Sequence, residues 1–303
     1  MNQIVSTHSL SKRYGNVFSV KEINLSVCEG DIYGFLGPNG AGKTTTLKML
    51  LGLVRPTDGK VNIFGKELGA NRRHILQNIG SLIESPSNYE HLTGLENMRV
   101  VQRLRGVPDK NVTEALRMVR LEKQKDKKVA QYSLGMKQRL GIAMAMLSFP
   151  KLLILDEPTN GLDPAGIGEM RELIKSLPQR YGMTILLSSH LLSEIEQMAT
   201  SVGIIHGGTM LFQGSMEKLQ ARSRPSIRIK VQDHAMAREL LASWGFFAKV
   251  QEDSLVLENI TDSRVAQVNR DLVAANIDVL RIEEQTRNLE SIFLDLTGGG
   301  NSL

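Results

Sequence analysis

A chain of 303 residues, 41% of them hydrophobic and carrying a net charge of +5, is long enough for one large domain with a smaller companion. Its single cysteine, Cys28, excludes an internal disulfide and any cysteine-based metal cluster, and it fits a reducing compartment. No apolar run approaches the ~18 residues needed to span a bilayer, and Met1 to Leu10 is too polar and mixed for a signal peptide, so work at a membrane is expected to run through another chain.

Residues 4 to 30 read as antiparallel strands, with Ile23 to Val27 alternating apolar and polar. Lys12-Arg13-Tyr14-Gly15 places Tyr14 in a loop. Asp31 to Leu36 predicts a short buried strand, and Thr44 to Leu53 a helix with Leu47, Leu50 and Leu51 on its apolar face. Between them lies Gly37-Pro38-Asn39-Gly40-Ala41-Gly42-Lys43-Thr44-Thr45, of the form G-x-x-x-x-G-K-[ST], the phosphate-binding P-loop. Its glycines let the backbone bend around a phosphate with successive N–H groups pointing inward, and the helix N-terminus adds partial positive charge. Lys43 can reach the β- and γ-phosphates of a nucleotide, and the Thr44 hydroxyl can ligate Mg²⁺. Tyr14, upstream, can then fold back to stack on the base.

Arg55 to Gly59 is a turn, Lys60 to Phe64 a strand, Arg72 to Asn78 helical, and Ile79 to Ile83 a strand that ends on Glu84. Ser85 to Thr93 reads as an exposed segment, and Gly94 to Leu147 as a mostly helical subdomain inserted between strands. The basic run Lys123 to Lys128 is interrupted by an acid and reads as a solvated loop, not a nucleic-acid patch. Within the subdomain, Ser133 is a candidate N-cap for a helix that starts near Leu134 and would present N–H groups and a hydroxyl to an anion.

Leu152-Leu-Ile-Leu155 is an all-apolar strand that ends in Asp156 and Glu157. Active sites of parallel sheets lie at such strand ends, where Asp156 can hold the Mg²⁺ shell and Glu157 can activate a water. Asn160-Gly-Leu-Asp163-Pro164 turns into a helix; Thr184 to Ser188 is another buried strand, and His190 at its end is placed to contact a γ-phosphate. Val202 to Ile205 and Thr209 to Phe212 form a hairpin through Gly207 and Gly208. After a linker at Arg222 to Pro225 comes a separate pattern: strand 226–231, a helix carrying Ala237, Leu240, Leu241 and Trp244 on one face, a hairpin, a helix from Asp262 to Ala275 and a strand from Asp278 to Ile282. That order, βαββαβ, is ferredoxin-like. A last helix is expected from Asn288 to Leu296, before a glycine-rich end.

With these pieces in order, residues 4 to 220 resemble the ATPase subunit of ATP-binding cassette (ABC) transporters. The resemblance implies an α/β P-loop core with an antiparallel β subdomain and a helical subdomain at about residues 85–150, together making domain 1–221; the separate pattern after the linker adds a small α+β domain at 226–297. It implies a head-to-tail homodimer with two ATPs at the interface, coupled to separate integral-membrane permease subunits and held peripherally at the cytoplasmic face of the cell membrane. In that scheme Tyr14 stacks on adenine, while Lys43, Thr44 and Asp156 handle phosphate and Mg²⁺. Glu157 is the general base, His190 contacts the γ-phosphate, Ser133 and Gly135 bind the partner's γ-phosphate, and Asp163 crosses the interface.

Two elements depart from the family pattern. The signature Leu-Ser-Gly-Gly-Gln is here Tyr132-Ser133-Leu134-Gly135-Met136, and Glu84 stands where the family has the Q-loop glutamine. The Glu84 segment looks like the bacitracin-resistance and lantibiotic-immunity branch, whose members export peptide antibiotics or remove them from the membrane. Two alternatives fit less well. An ABC-type ATPase acting on nucleic acid or ribosomes usually carries two cassettes or a long coiled coil, and neither is visible here. A P-loop small-molecule kinase leaves Ser133, Gly135 and His190 unexplained.

Overall fold

The computed structural model describes residues 2–84, 87–221, 226–251, 253–258, 260–285 and 293. The chain divides into two units, Met1–Met216 and Glu217–Leu303.

The first unit opens with β1 (Gln3–Tyr14), β2 (Val17–Ile23) and β3 (Ser26–Cys28). Both β2 and β3 pair antiparallel with β1, β2 along its second half and β3 along its first. The alternating stretch Ile23–Val27, expected as one strand, is therefore a corner between two. Thr7 stitches that corner: its hydroxyl donates to the Ile23 carbonyl and accepts from Leu25 N, both at 2.7 Å. Tyr14 ends β1 instead of lying in a loop; the turn begins at Gly15. β4 (Ile32–Leu36) follows, buried along its whole length, and then α1 (Lys43–Leu50). Next come β5 (Asp58–Ile63), β6 (Lys66–Glu67), α2 (Leu68–Leu76) and β7 (Ile79–Leu82). Helix α2 starts four residues before the expected Arg72, with a non-helical kink at Asn71. The antiparallel sheet has order β2-β1-β5-β6, with β3 also on β1.

The helical insertion holds α3 (Gly94–Arg105), α4 (Asp109–Met118) and α5 (Leu134–Met146). Thr93 and Glu96 form a reciprocal capping box at the start of α3, and Gly106 ends that helix in the left-handed region. β8 (Leu152–Leu155), α6 (Pro164–Tyr181), β9 (Thr184–Ser189), α7 (Leu192–Met198), β10 (Ser201–His206), β11 (Thr209–Ser215) and α8 (Met216–Gln220) complete the series. The second sheet has order β11-β10-β4-β9-β8-β7, parallel except for the hairpin strand β11. All four side chains of β8 are fully buried, which explains its uniformly apolar sequence. Each such side chain contributes about 1.5–3 kcal/mol on burial.

The second unit comprises β12 (Ser226–Val231), α9 (His234–Ser243), β13 (Ala248–Gln251), β14 (Ser254–Glu258), α10 (Asp262–Ala274) and β15 (Val279–Gln285). Its sheet has order β13-β14-β12-β15, antiparallel throughout. Ala237 and Leu241 of α9, and Val268 and Leu272 of α10, pack with Ile229, Val231, Leu255 and Leu257 of the strands. We read this arrangement as ferredoxin-like. The linker at 222–225 and all but Phe293 of the helix expected from Asn288 to Leu296 lie outside the described residues. Among the described residues, no helix is long and apolar enough to cross a membrane.

Candidate functional site

β4, β9, β8 and β7 are consecutive neighbours running in one direction, so their C-terminal ends lie side by side. Residues 37–45 follow β4, His190 follows β9, Asp156 and Glu157 follow β8, and Glu84 comes just after β7. That edge is where ligands of parallel α/β sheets bind.

The loop between β4 and α1 depends on two glycines. A Cβ on Gly37 would lie 2.4 Å from the Ile205 carbonyl oxygen, and one on Gly42 would lie 2.5 Å from that of Ser19. Gly42 also sits at φ 105°, where a side chain is strained. It is the N-cap of α1 and has no side chain to cap with, so the first N–H groups of the helix are left without an intrahelical or capping acceptor. A polar cradle of this kind, closed to any side chain, fits a phosphate.

Lys43 is only 6% exposed, and burying a lone ammonium is costly. Its Nζ donates to the carbonyls of Gly37 (2.7 Å) and Pro38 (3.2 Å), and it lies 3.2 Å from Glu157 Oε1. The Thr44 hydroxyl donates to Asp156 Oδ2 at 2.8 Å. Ser188 Oγ donates to Asp156 Oδ1 at 2.6 Å and accepts from Glu157 N at 2.9 Å. Glu157 has a left-handed backbone, φ 49°, a strained conformation for a residue with a side chain. Its Oε2 lies 2.7 Å from His190 Nδ1. A carboxylate only accepts, so the Nδ1 proton points at Glu157; Nε2 then carries a lone pair in the neutral ring and an N–H only in the imidazolium.

Lys43, Thr44, Asp156, Glu157 and His190 thus form one hydrogen-bonded cluster. The Thr44 and Asp156 oxygens are hard donors suited to Mg²⁺. Among the described residues no group of three His, Cys, Asp or Glu side chains is placed to hold a metal, so a cation at Thr44 and Asp156 would take its other ligands from phosphate and water.

Glu84 is a separate case. It adopts φ 61°, is well exposed, and binds Lys48 of α1 at 2.6 Å rather than Thr44 or Asp156. Its hydrogen bond is the main cause that holds the Lys48 ammonium above the ordinary lysine range. Tyr14 is 54% exposed, and the Lys12 ammonium sits 5.0 Å from its ring centroid. Ser133 caps α5, accepting from Met136 N at 3.3 Å. Asp163 caps α6, accepting from Gly166 N at 2.9 Å. The starts of these two helices are in contact: a Cβ on Gly161 would lie 3.0 Å from Leu134 Cδ2, and one on Gly135 3.7 Å from Leu162 Cδ2. Ser133, Gly135 and Asp163 therefore make a second group, and no hydrogen bond among the described residues ties it to the Lys43 cluster.

Sequence reasoning passed over Ser188, which clamps Asp156 and Glu157, and Lys48, which holds Glu84. It also passed over Ser19, whose hydroxyl donates to Thr45 Oγ1 at 3.1 Å and ties β2 to the loop. The signal for Ser188 was present, since a hydroxyl inside an otherwise apolar buried strand needs a partner. Nothing in the sequence marks Lys48 or Ser19.

Comparison with known proteins agrees with this geometry. The ABC transporter family profile matches residues 20–160. The chain is 45% identical to the bacitracin transport ATP-binding protein BcrA of Bacillus licheniformis, covering 99% of each. It is 44% identical over 210 residues to the lantibiotic transport ATP-binding protein SrtF of Streptococcus pyogenes, covering 69% of this chain and 90% of that one. A solved structure of the ATP binding subunit of an ABC transporter superposes with a TM-score of 0.65 at 31% identity, covering 72% of this chain and 92% of that chain. The P-loop, the acidic end of β8 and full-length relatives of this identity agree: the chain belongs to the ATP-binding proteins of ABC transporters, and it is an ATPase whose hydrolysis is coupled to transport.

Proposed function

We propose that the chain powers the export, or removal from the membrane, of a peptide antibiotic such as bacitracin or a lantibiotic, and so confers resistance or immunity. The observation that carries this reading is the 45% identity to a bacitracin transport ATP-binding protein across 99% of both chains. Glu84, which resembles that branch in sequence, supports it further.

In this reading the protein works as a homodimer beneath separate permease subunits, peripheral to the cytoplasmic face of the membrane, and needs no nucleic acid. ATP lies in the loop 37–45, with Tyr14 against its base. Mg²⁺, held by Thr44 and Asp156, would offset the phosphate charge. Glu157 accepts the proton of the attacking water, and the ring of His190, already paired with it, steadies that carboxylate and faces the γ-phosphate. Lys43 leaves Glu157 for the phosphates when the nucleotide enters, which frees the base. Ser133, Gly135 and Asp163 serve the partner's nucleotide; their grouping in a cluster of their own, apart from Lys43, supports that role. Residues 1–221 form the ATP-binding domain and 226–297 a small appended one.

The test is survival of cells that express the chain with its genomic neighbours, challenged with bacitracin and with a lantibiotic. Pull-down from detergent-solubilised membranes runs in parallel. Increased survival with a co-purifying membrane protein supports the reading. Co-purification of ribosomes or RNA, with unchanged survival, would replace it with the nucleic-acid alternative.

A further inference from the structure

Glu194, in the first turn of α7, is a charged residue only 6% exposed. A carboxylate so deep in the protein must be satisfied by donors. Two hydroxyls meet at its Oε2: Thr159 Oγ1 at 2.6 Å and Ser189 Oγ at 3.0 Å. Thr159 is 3% exposed and Ser189 1%, so neither has water as an alternative partner.

The two donors sit at informative places. Thr159 lies two residues after Glu157, inside the turn where Asn160 N bonds to the Glu157 carbonyl at 3.1 Å and Leu162 N to the Thr159 carbonyl at 3.2 Å. That turn leads directly to Asp163. Ser189 is the last residue of β9 and immediately precedes His190; its Oγ also accepts from Leu191 N at 3.0 Å, which fixes the chain on the far side of the histidine. One carboxylate therefore holds the loop that carries Glu157 and the strand end that carries His190. The neighbouring Ser188 makes a second tie on the other side, to Asp156 and to Glu157 N. The Glu157–His190 contact of 2.7 Å spans these two segments.

We infer that Glu194 is a positioning residue for ATP hydrolysis. Its buried carboxylate clamps Thr159 to Ser189 and so holds Glu157 and His190 in register with each other and with the turn that leads to Asp163. Glu194 touches neither of those residues in the hydrogen-bond pattern and acts only through the two hydroxyls. The inference rests on the reading of Glu157 as the general base and His190 as its partner.

Its removal should act on the chemical step and leave nucleotide binding nearly alone: no Lys43 or Thr44 side-chain hydrogen bond goes to Thr159 or Ser189, and Ser189 meets the loop through its backbone carbonyl, which accepts from Gly37 N at 3.3 Å and is kept in every side-chain variant. Misplacement of a reacting group by about 1 Å can cost on the order of 100-fold in rate. The full-length chain carrying Glu194→Met, Thr159→Val or Ser189→Ala should hydrolyse ATP about 10- to 100-fold more slowly, with KM for ATP unchanged. Both hydroxyls meet at one oxygen, which glutamine keeps, so Glu194→Gln should retain most of the parent kcat and is the conservative rescue. Thermal unfolding shows which variants are folded. Thr159→Val combined with Glu194→Met should be no slower than the worse single variant, because both remove the same tie. Parent kcat in folded Glu194→Met, or in Thr159→Val where the methionine variant does not fold, overturns the clamp, as does a double variant whose losses multiply. A rise in KM that matches the fall in kcat does so too. Glu157→Gln is run beside them: if it still turns over normally, the assignment of the base has failed rather than the clamp.

Discussion

Replacement of Glu157 by glutamine tests the chemistry with the smallest change of shape. The side chain is one-fifth exposed and serves two partners, Lys43 through Oε1 and His190 through Oε2. An amide offers one acceptor oxygen and one NH₂. Its oxygen can still accept from Lys43, and its NH₂ can donate to His190 Nδ1 once that ring shifts its proton to Nε2. The folded state therefore loses a charge-assisted bond without gaining an orphaned group, a cost of about 1–2 kcal/mol. In a unit of this size that lowers the melting temperature by roughly 2–8 °C. Binding should move the other way. Lys43 no longer has a carboxylate to leave, so ATP affinity should equal or exceed that of the parent. Hydrolysis loses its proton acceptor, worth ~10²–10⁴ in rate. At 1.36 kcal/mol per decade this is about 2.7–5.4 kcal/mol of barrier. Single-turnover hydrolysis beside equilibrium nucleotide binding separates the effects, and sedimentation at saturating ATP should show a stalled dimer. A rate within tenfold of the parent, or an affinity that falls as far as the rate, would refute the assignment of Glu157 as base.

Lys43→Met removes the only ammonium shown inside the loop, and calorimetry should find ATP binding about 10- to 100-fold weaker, the value of one charge-assisted hydrogen bond of 1.5–3 kcal/mol. Gly42→Ala forces a side chain to φ 105° and to within 2.5 Å of the Ser19 carbonyl. The strain of about 1–3 kcal/mol should lower the unfolding temperature by several degrees, before any nucleotide is added. The Glu96 carboxyl is held below its usual range, first by the backbone N–H of Thr93 and then by its hydroxyl. A depressed acid stabilises the fold above its unfolded pKa of about 4.3, and that contribution is lost as pH falls through the lower folded value. Amide-exchange protection at the start of α3 should therefore fall in acid, Thr93→Ala should weaken that pH dependence by removing the hydroxyl donor, and Glu96→Gln should abolish it.

Much of this site can be read from the sequence, because its elements are short and their signals local. The P-loop spacing, the apolar run before Asp156 and the serine before α5 each declare a strand end or a helix start within a few residues. Two kinds of feature were hidden. The first is where a strand ends within an alternating pattern: Ile23 to Val27 keeps period two through a corner, because Thr7 rather than the pattern decides where β2 stops and β3 begins. The second is long-range pairing. Lys48 and Glu84 are 36 positions apart, and Thr159 and Glu194 are 35 apart. Only the order of the parallel strands brings them together. The order of elements in the C-terminal unit is legible for the opposite reason: β12 alternates apolar and polar, and α9 and α10 each keep a helical apolar stripe, so the signals are local.

The pair formed by Glu84 and Lys48 bears on how the site signals outward. A glutamine at this position would present a neutral carbonyl and a donor amide; glutamate adds a charge beside an anionic nucleotide. Lys48 neutralises that charge, and no hydrogen bond among the described residues joins Glu84 to Thr44 or Asp156. The pair is 31% and 65% exposed, so it contributes no more than about 1 kcal/mol to folding. Its loss cannot unfold the protein, and a phenotype must come from what Glu84 does in the working transporter. Glu84→Ala should leave ATP affinity nearly intact and lower survival against cell-envelope peptide antibiotics. Glu84→Gln should fall between alanine and the parent, since it keeps the hydrogen-bonding shape without the charge. Lys48→Met should reproduce part of the alanine defect through an unneutralised Glu84, and adding Glu84→Gln to it should bring function up to the level of Glu84→Gln alone. Full survival with Glu84→Ala at equal expression, or a double variant worse than Lys48→Met alone, would reduce the pair to a surface contact.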